Sequence, residues 1–100
     1  MPTVAYDHPR YESGGYWRGP TWPETTYFAA KGFKACGFGN LAKAVRQNFL
    51  DWCANNTDTF YEYYDSNSGK GLGEPQYSGT AAFIIEFILN WDAQDNLAAP

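Results

Sequence analysis

The sequence predicts an all-α fold of three main helices separated by long aromatic and glycine-rich loops. Three observations predict it. A capped segment of helical periodicity follows Thr21, a one-faced segment follows Asn40, and a segment apolar nearly all round follows Ser78.

The first helix is expected to open at Thr21-Trp22-Pro23-Glu24, with Thr21 as the cap, Pro23 in the first turn and Glu24 at the capping-box position. It continues through Tyr27, Phe28, Ala29, Ala30 and Phe33 to about Cys36, where Gly37-Phe38-Gly39 ends it. Gly32, inside it, costs about 1 kcal/mol relative to alanine, which predicts close packing there. The second helix follows Asn40 as its cap. Leu41, Ala44, Val45, Phe49, Trp52 and Cys53 recur on one face, and Lys43, Arg46, Gln47 and Asp51 fill the other. The third, Thr80 to Trp91 after Ser78, is rich in Phe and Ile, so strand competes; the Ala81-Ala82 pair and the length favour helix. Its apolar circumference predicts burial on several sides, with Glu86 a buried, paired residue. No repeat is present. Many-sided helices beside a one-sided one suit a double-layered ring of helices.

Asn56 to Tyr77 shows no helical pattern, and loops longer than about 12–15 residues inside compact domains are usually functional or disordered. Phe60, Tyr61, Tyr63 and Tyr64 argue for order here. A second irregular aromatic stretch, Tyr11 to Pro20, leads into the first helix.

Aromatic residues make up 19% of the chain, and rings gather in cores or at sites that stack on flat ligands such as a sugar face. The net charge of −4 and pI near 4.7 exclude a nucleic-acid or anionic-membrane surface as the expected partner. Cys36 and Cys53 have neither metal-ligand nor redox spacing, and they read as two buried free thiols. A disulfide between neighbouring helices is the alternative for a secreted chain. Met1 to Tyr16 has no apolar signal region, and the longest apolar run, Ala81 to Leu89, contains Glu86 and is too short to span a bilayer. The chain therefore reads as soluble, with its compartment open. Asn55-Asn56-Thr57 is a formal glycosylation triplet. His8 is the only histidine, so no zinc site or histidine triad is expected. Gly69-x-Gly71-x-Gly73 lacks the spacing of a nucleotide-binding turn. Neither cofactor nor metal is expected.

Two stretches carry chemistry. In Phe60-Tyr61-Glu62-Tyr63-Tyr64-Asp65, acids lie beside rings, where protonation is tunable, and cleavage of a glycosidic bond needs two such groups. The residues alone leave Glu62 and Asp65 open between working carboxylates and solvated loop acids. In Gly14-Gly15-Tyr16-Trp17-Arg18-Gly19-Pro20-Thr21-Trp22, an arginine between tryptophans can donate to sugar hydroxyls while a ring stacks on the sugar. The equal alternative is a structural turn, with Trp17 and Trp22 as core anchors and Arg18 paired to a carboxylate.

Tyr16-Trp17-Arg18-Gly19-Pro20-Thr21-Trp22 resembles the Tyr-Trp-Arg-Gly-x-x-Trp signature of glycoside hydrolase family 63 and the mannosylglycerate-hydrolase-like enzymes. Glu62-x-Tyr64-Asp65, its glycine-rich tail and the Tyr77-Ser78 step into a helix are similar to the matching segment of that family and of the related trehalases. The resemblance runs from about Asp7 to Asp92. It implies an (α/α)6 toroid barrel of which residues 1–100 form a single partial domain, the C-terminal segment. It implies inverting hydrolysis of an α-glycosidic bond with Glu62 as general base. Trp17, Arg18, Trp22, Tyr64 and Tyr77 are then expected to bind the saccharide substrate. The family's general acid is an Asp upstream of the matched segment, so the chain is expected to be inactive alone. The missing barrel portion, or self-association, is the expected partner. Two positions depart from the family: Thr26 stands where Asn is frequent, and Gly79 where Trp is usual. A non-catalytic carbohydrate-binding or assembly module, or an inert truncated fragment, is the alternative.

Overall fold

A computed structural model describes residues 1–92. The elements are α1 (Pro23–Ala35), α2 (Gly39–Asn55), β1 (Tyr63–Tyr64), β2 (Gly71–Leu72) and α3 (Ser78–Leu89). The three expected helices are present. The stretch expected to lack helix holds, in addition, a minimal antiparallel hairpin that pairs Tyr63 with Leu72 and Tyr64 with Gly71. The molecule is a slab of 40 × 32 × 18 Å.

Both predicted N-caps are displaced. The cap of α1 is the extended residue Trp22, and no side chain caps it. Thr21 is diverted: its hydroxyl lies 2.8 Å from both Ser66 Oγ and the Met1 carbonyl, with one proton to give to either. Pro23 needs no partner at the first helical position, and Thr25 Oγ1 donates to the Trp22 carbonyl at 3.1 Å. At the other end, Gly37 takes φ +90°, and the Phe38 amide reaches back to the Phe33 carbonyl at 2.8 Å. That left-handed stop closes α1 so tightly that Phe38, not Asn40, is the cap of α2. Gly32 corrects a second expectation. A Cβ there would have nothing within 4 Å, so its place in α1 has no packing reason.

The core joins all three helices to the hairpin. Tyr27 and Ala30 of α1, Phe49 and Cys53 of α2, Tyr64 of β1 and Phe87 of α3 form one buried cluster. Burial of such side chains supplies about 1.5–3 kcal/mol each. Cys53 is buried as expected, but Cys36 is exposed at the end of α1; both are free. Asn56 stitches α2 to the hairpin. Its Nδ2 donates to the carbonyls of Trp52 (2.7 Å) and Gly69 (2.8 Å), and its Oδ1 accepts the Gly71 amide at 2.9 Å.

The end of α3 is held by cations. Arg46 Nε donates to the Phe87 carbonyl at 2.9 Å, Lys31 and Lys34 donate to the Trp91 carbonyl, and all three lie within 6 Å of the Trp91 ring. Positive charge opposes the negative pole of a helix C-terminus and the face of an indole together. The opposite side of α3 departs from the expectation of burial. Ile85, Ile88 and Leu89 are 52%, 56% and 71% exposed, beside Phe28 at 65%. Covering a helix that is apolar all round takes more packing partners than α1 and α2 provide. Glu86 is half-buried and accepts Asn90 Nδ2 at 3.1 Å. Among the described residues no helix is long and apolar enough to cross a membrane.

Two glycines in contrasting surroundings test this packing. Gly32→Ala is expected to raise stability by about 1 kcal/mol, because it removes a helix-interior glycine into open space. Gly19→Ala is expected to lower it by about 1–3 kcal/mol, because its Cβ would press on the Glu12 backbone, with the carbonyl carbon 2.8 Å away. Urea midpoints followed by circular dichroism measure both.

Alkali tests the core. Burial first pushes the Cys53 thiol up from 9.0 to about 11, and burial first pushes the Tyr64 phenol up from 10.0. Both groups fold in their neutral form, so their contribution is complete below pH 9.0 and drains away as pH rises towards 11. A thiol reagent at neutral pH is expected to label Cys36 at once and Cys53 only on unfolding. Labelling of Cys53 should appear as stability falls above that pH.

Candidate active site

The glycine-rich turn, the start of α1 and the hairpin converge at one edge of the slab. The turn is built by its own backbone: Gly15 N bonds the Glu12 carbonyl, Arg18 N bonds Gly15 and Glu12 N bonds Arg18, each at 2.9 Å. It is welded to the hairpin by reciprocal bonds, Thr21 N to the Tyr64 carbonyl at 2.7 Å and Tyr64 N to the Thr21 carbonyl at 2.9 Å. Ser66 Oγ adds a bond to the Gly19 carbonyl at 2.6 Å.

This weld fixes a ring stack. Trp17 lies on Trp22 (centroids 4.4 Å, 16°), and Trp22 lies on Tyr63 (4.7 Å, 18°). Tyr16 stands edge-on to all three at 4.7 to 5.2 Å. Trp22 is 3% exposed, with its Nε1 donating to the Tyr16 carbonyl at 2.7 Å, whereas Trp17 is 59% exposed. Of the two proposed core anchors, then, only Trp22 is buried; Trp17 offers its outer face to solvent.

Glu62 sits one residue before β1, beside this stack. Its amide bonds the Glu74 carbonyl at 3.0 Å, its Oε1 accepts the Glu74 amide at 3.2 Å and its Oε2 accepts the Tyr16 hydroxyl at 3.3 Å. Each carboxylate oxygen has room for two donors, so each keeps a lone pair for a water. Gly73, at φ +76°, leaves space for the carboxylate: a Cβ there would stand 2.7 Å from Glu62 Oε1 and 2.6 Å from the Tyr63 ring. The Tyr16 phenol is held above its usual range, by desolvation first and then by the charge of Glu62, so it stays a donor.

The remaining expected residues are distributed differently. Arg18 does not bond Glu62; its Nη2 pairs with Glu12 Oε2 at 2.6 Å, with both side chains more than half exposed. Tyr64 is fully enclosed in the core, edge-on to Phe49, and its hydroxyl accepts the Tyr61 amide at 3.1 Å. Tyr77 is half-buried at the mouth of α3, with its ring over Gly79, where a Cβ would stand 2.9 Å from Cε2. The ring thus fills the space where a side chain at that departing position would begin. Thr26, at the other departure, is fully buried, and its Oγ1 has no hydrogen-bond partner. Asp65 closes the hairpin turn, with Oδ1 accepting the Asn67 amide at 2.9 Å.

Tyr16 and Tyr63, though inside the two motifs, and Glu12 were not among the expected site residues. Tyr16 carried a signal in the Gly14-Gly15 pair, which frees the backbone in front of a bulky ring. Glu12 is the carboxylate that the structural-turn alternative required for Arg18, and Tyr63 carried no signal beyond its place in the aromatic run. Among the described residues no three His, Cys, Asp or Glu side chains gather as a metal ion requires.

Comparison with known proteins identifies the family of the chain. Residues 1–80 match the model of the mannosylglycerate hydrolase MGH1-like glycoside hydrolase domain. The mannosylglycerate hydrolase of Rubrobacter radiotolerans is 32% identical over 91 residues, 89% of this chain and 20% of that protein. The glucosylglycerate hydrolase of Mycolicibacterium hassiacum is 36% identical over 73 residues, 73% of this chain and 16% of that one. The crystal structure of a family 63 mannosylglycerate hydrolase from Thermus thermophilus, in complex with Tris and D-glycerate, matches with a TM-score of 0.80 at 35% identity. That match covers 85% of this chain and 20% of the other. The chain spans about a fifth of the length of these relatives. It belongs to the mannosylglycerate hydrolase MGH1-like domain family, within glycoside hydrolase family 63.

Proposed function

We propose that this chain carries the general-base side of an inverting glycosidase site for mannosyl- or glucosyl-glycerate, with the general acid lying outside it. The observation that carries the reading is the Glu62 carboxylate, steadied through both oxygens at the edge of an aromatic stack whose outer ring is open. Glu62 takes a proton from water, and the water oxygen attacks the anomeric carbon from the face opposite the leaving glycerate. An acid about 6.5–9.5 Å away must protonate the departing oxygen. One carboxylate cannot do both within a turnover, and Asp65 is committed to its turn.

The open face of Trp17 is shaped to stack on a sugar, with Trp22 and Tyr63 keeping it planar from behind. Arg18 is released at little cost, since an exposed ion pair contributes about 0–1 kcal/mol. A sugar hydroxyl or a glycerate carboxylate can therefore displace Glu12 from it. Tyr77 borders the site, and Tyr64 supports it from within the core. The names of the relatives supply the substrate class, as does the D-glycerate in the Thermus structure.

A hybrid tests the assignment: these residues replace the matching segment of the Rubrobacter enzyme, assayed on both substrates. Glu62→Gln is expected to lower kcat by about 10²–10⁴-fold or more, and Trp17→Ala to raise KM more than it lowers kcat. A hybrid that keeps its rate as Glu62→Gln removes the base assignment. The chain by itself is expected to show no turnover.

The uncovered face of α3 formed by Ile85, Ile88 and Leu89 belongs to the same reading, as the surface against which the rest of such a domain packs. In isolation the chain is expected to self-associate, with a sedimentation coefficient that rises with concentration. Ile88→Lys should suppress the rise.

A further inference from the structure

We infer that Tyr16 is a positioning residue for the Glu62 carboxylate, held in a strained backbone conformation so that its hydroxyl meets Oε2. The inference rests on the reading of Glu62 as general base.

Three observations carry it. First, Tyr16 has φ +52°, in the left-handed region that a bulky aromatic residue rarely adopts. Such strain persists only where the surroundings over-determine it, and it gathers at functional sites. Second, the surroundings do over-determine it. The carbonyl of Tyr16 is taken by Trp22 Nε1 at 2.7 Å, and its ring is caught edge-on by Trp17, Trp22 and Tyr63 at 79°, 85° and 87°. Third, that ring aims its one polar atom at the carboxylate across 46 positions of sequence, at 3.3 Å. A structural tyrosine needs only its ring in such a clamp, and the hydroxyl is superfluous to the packing.

The chemical consequence concerns direction. A carboxylate on a loop turns about its last torsion, and a base must present a lone pair to the water it activates. With Oε1 bonded to the Glu74 amide and Oε2 to the Tyr16 hydroxyl, rotation about that torsion is restrained. The same contact acts on the phenol, which faces Glu62, Tyr63 and Tyr77. Tyr16 must stay protonated to donate, and desolvation and these neighbours hold its proton on.

Two measurements test this. In the chain itself, with 13C-labelled tyrosine, Glu62→Gln is expected to move the Tyr16 ring titration down towards that of free tyrosine. An unmoved Tyr16 titration, in a variant whose circular dichroism matches the parent, overturns the contact. In the hybrid enzyme, Tyr16→Phe keeps the ring clamp and removes only the hydroxyl. It is expected to lower kcat about tenfold or more with KM little changed, and to shift the pH profile of kcat. If Glu62→Gln abolishes turnover and Tyr16→Phe leaves kcat and its pH profile intact, the positioning role is wrong and the base assignment stands. If Glu62→Gln leaves turnover intact, the base assignment itself has failed. Should the hybrid lack turnover, the titration in the chain decides.

Discussion

Two backbone hydrogen bonds between Thr21 and Tyr64 set the position of nearly everything else at the site. They join a glycine-rich turn to a hairpin more than forty positions later in the sequence. With Thr21 held, the next residue, Trp22, must enter α1 as an extended cap, and its indole lands between Trp17 and Tyr63. With Tyr64 held, its ring enters the core beneath Phe49, and Glu62, two residues earlier, reaches the edge of the stack. Ser66 Oγ donates to the Gly19 carbonyl, and the Thr21 hydroxyl has its one proton to give to Ser66 Oγ or the Met1 carbonyl, so both buried hydroxyls of the weld have partners. This is why the threonine does not cap the helix: one hydroxyl cannot serve both ends, and the buried demand outweighs the exposed one.

The helices were legible because their causes are local. Periodicity, the proline at the first position of α1 and the glycine stop at its end lie within a few residues of what they determine. The caps at Thr21 and Asn40 were misread because tertiary bonds and an abrupt left-handed turn overrode a local preference. Gly32 was misread because a costly residue suggested a compensating contact, and the structure has none. The hairpin escaped because its strands are two residues each, too short for an alternating pattern. Its turn is closed locally, by Asp65 on the Asn67 amide and by the positive-φ Gly69, but its pairing depends on Asn56, 13 positions before Gly69 in the sequence. In the site, residue types pointed to the Trp–Arg turn and to Glu62. Which rings stack, which one is enclosed and which carboxylate Arg18 meets are questions of three-dimensional geometry. Tyr64 shows the difference: it stands inside the sharpest motif, yet its side chain serves the core.

The stack also explains why so small a piece can hold a directed site. Tyrosine and tryptophan have two side-chain torsions each, so ordering four of them costs little entropy for the area they cover. Face-to-face contacts fix Trp17, Trp22 and Tyr63 as a layer, and the edge-on ring of Tyr16 stops that layer from sliding. A loop lined with lysine or glutamine would need up to about twice as many torsions frozen to place a donor as well. The strain at Tyr16 is sustainable because it is confined to one residue while the contacts that hold it are shared among three rings.

A slab 18 Å thick has an edge and two faces but no interior large enough to surround a disaccharide-sized ligand. Electrostatic stabilisation of a developing charge grows as water is excluded, and exclusion needs walls on several sides. Here the described residues supply one edge of such a wall: the exposed ring of Trp17 on the buried Trp22, and the Glu62 carboxylate bonded by Tyr16. On the far side of the core the same slab leaves the apolar face of α3 uncovered. Under the reading proposed above, both features have one geometric origin. Helices that pack on only two neighbours, in an arrangement matching about a fifth of a larger domain, leave open at once the site that domain would enclose and the seam along which it would close.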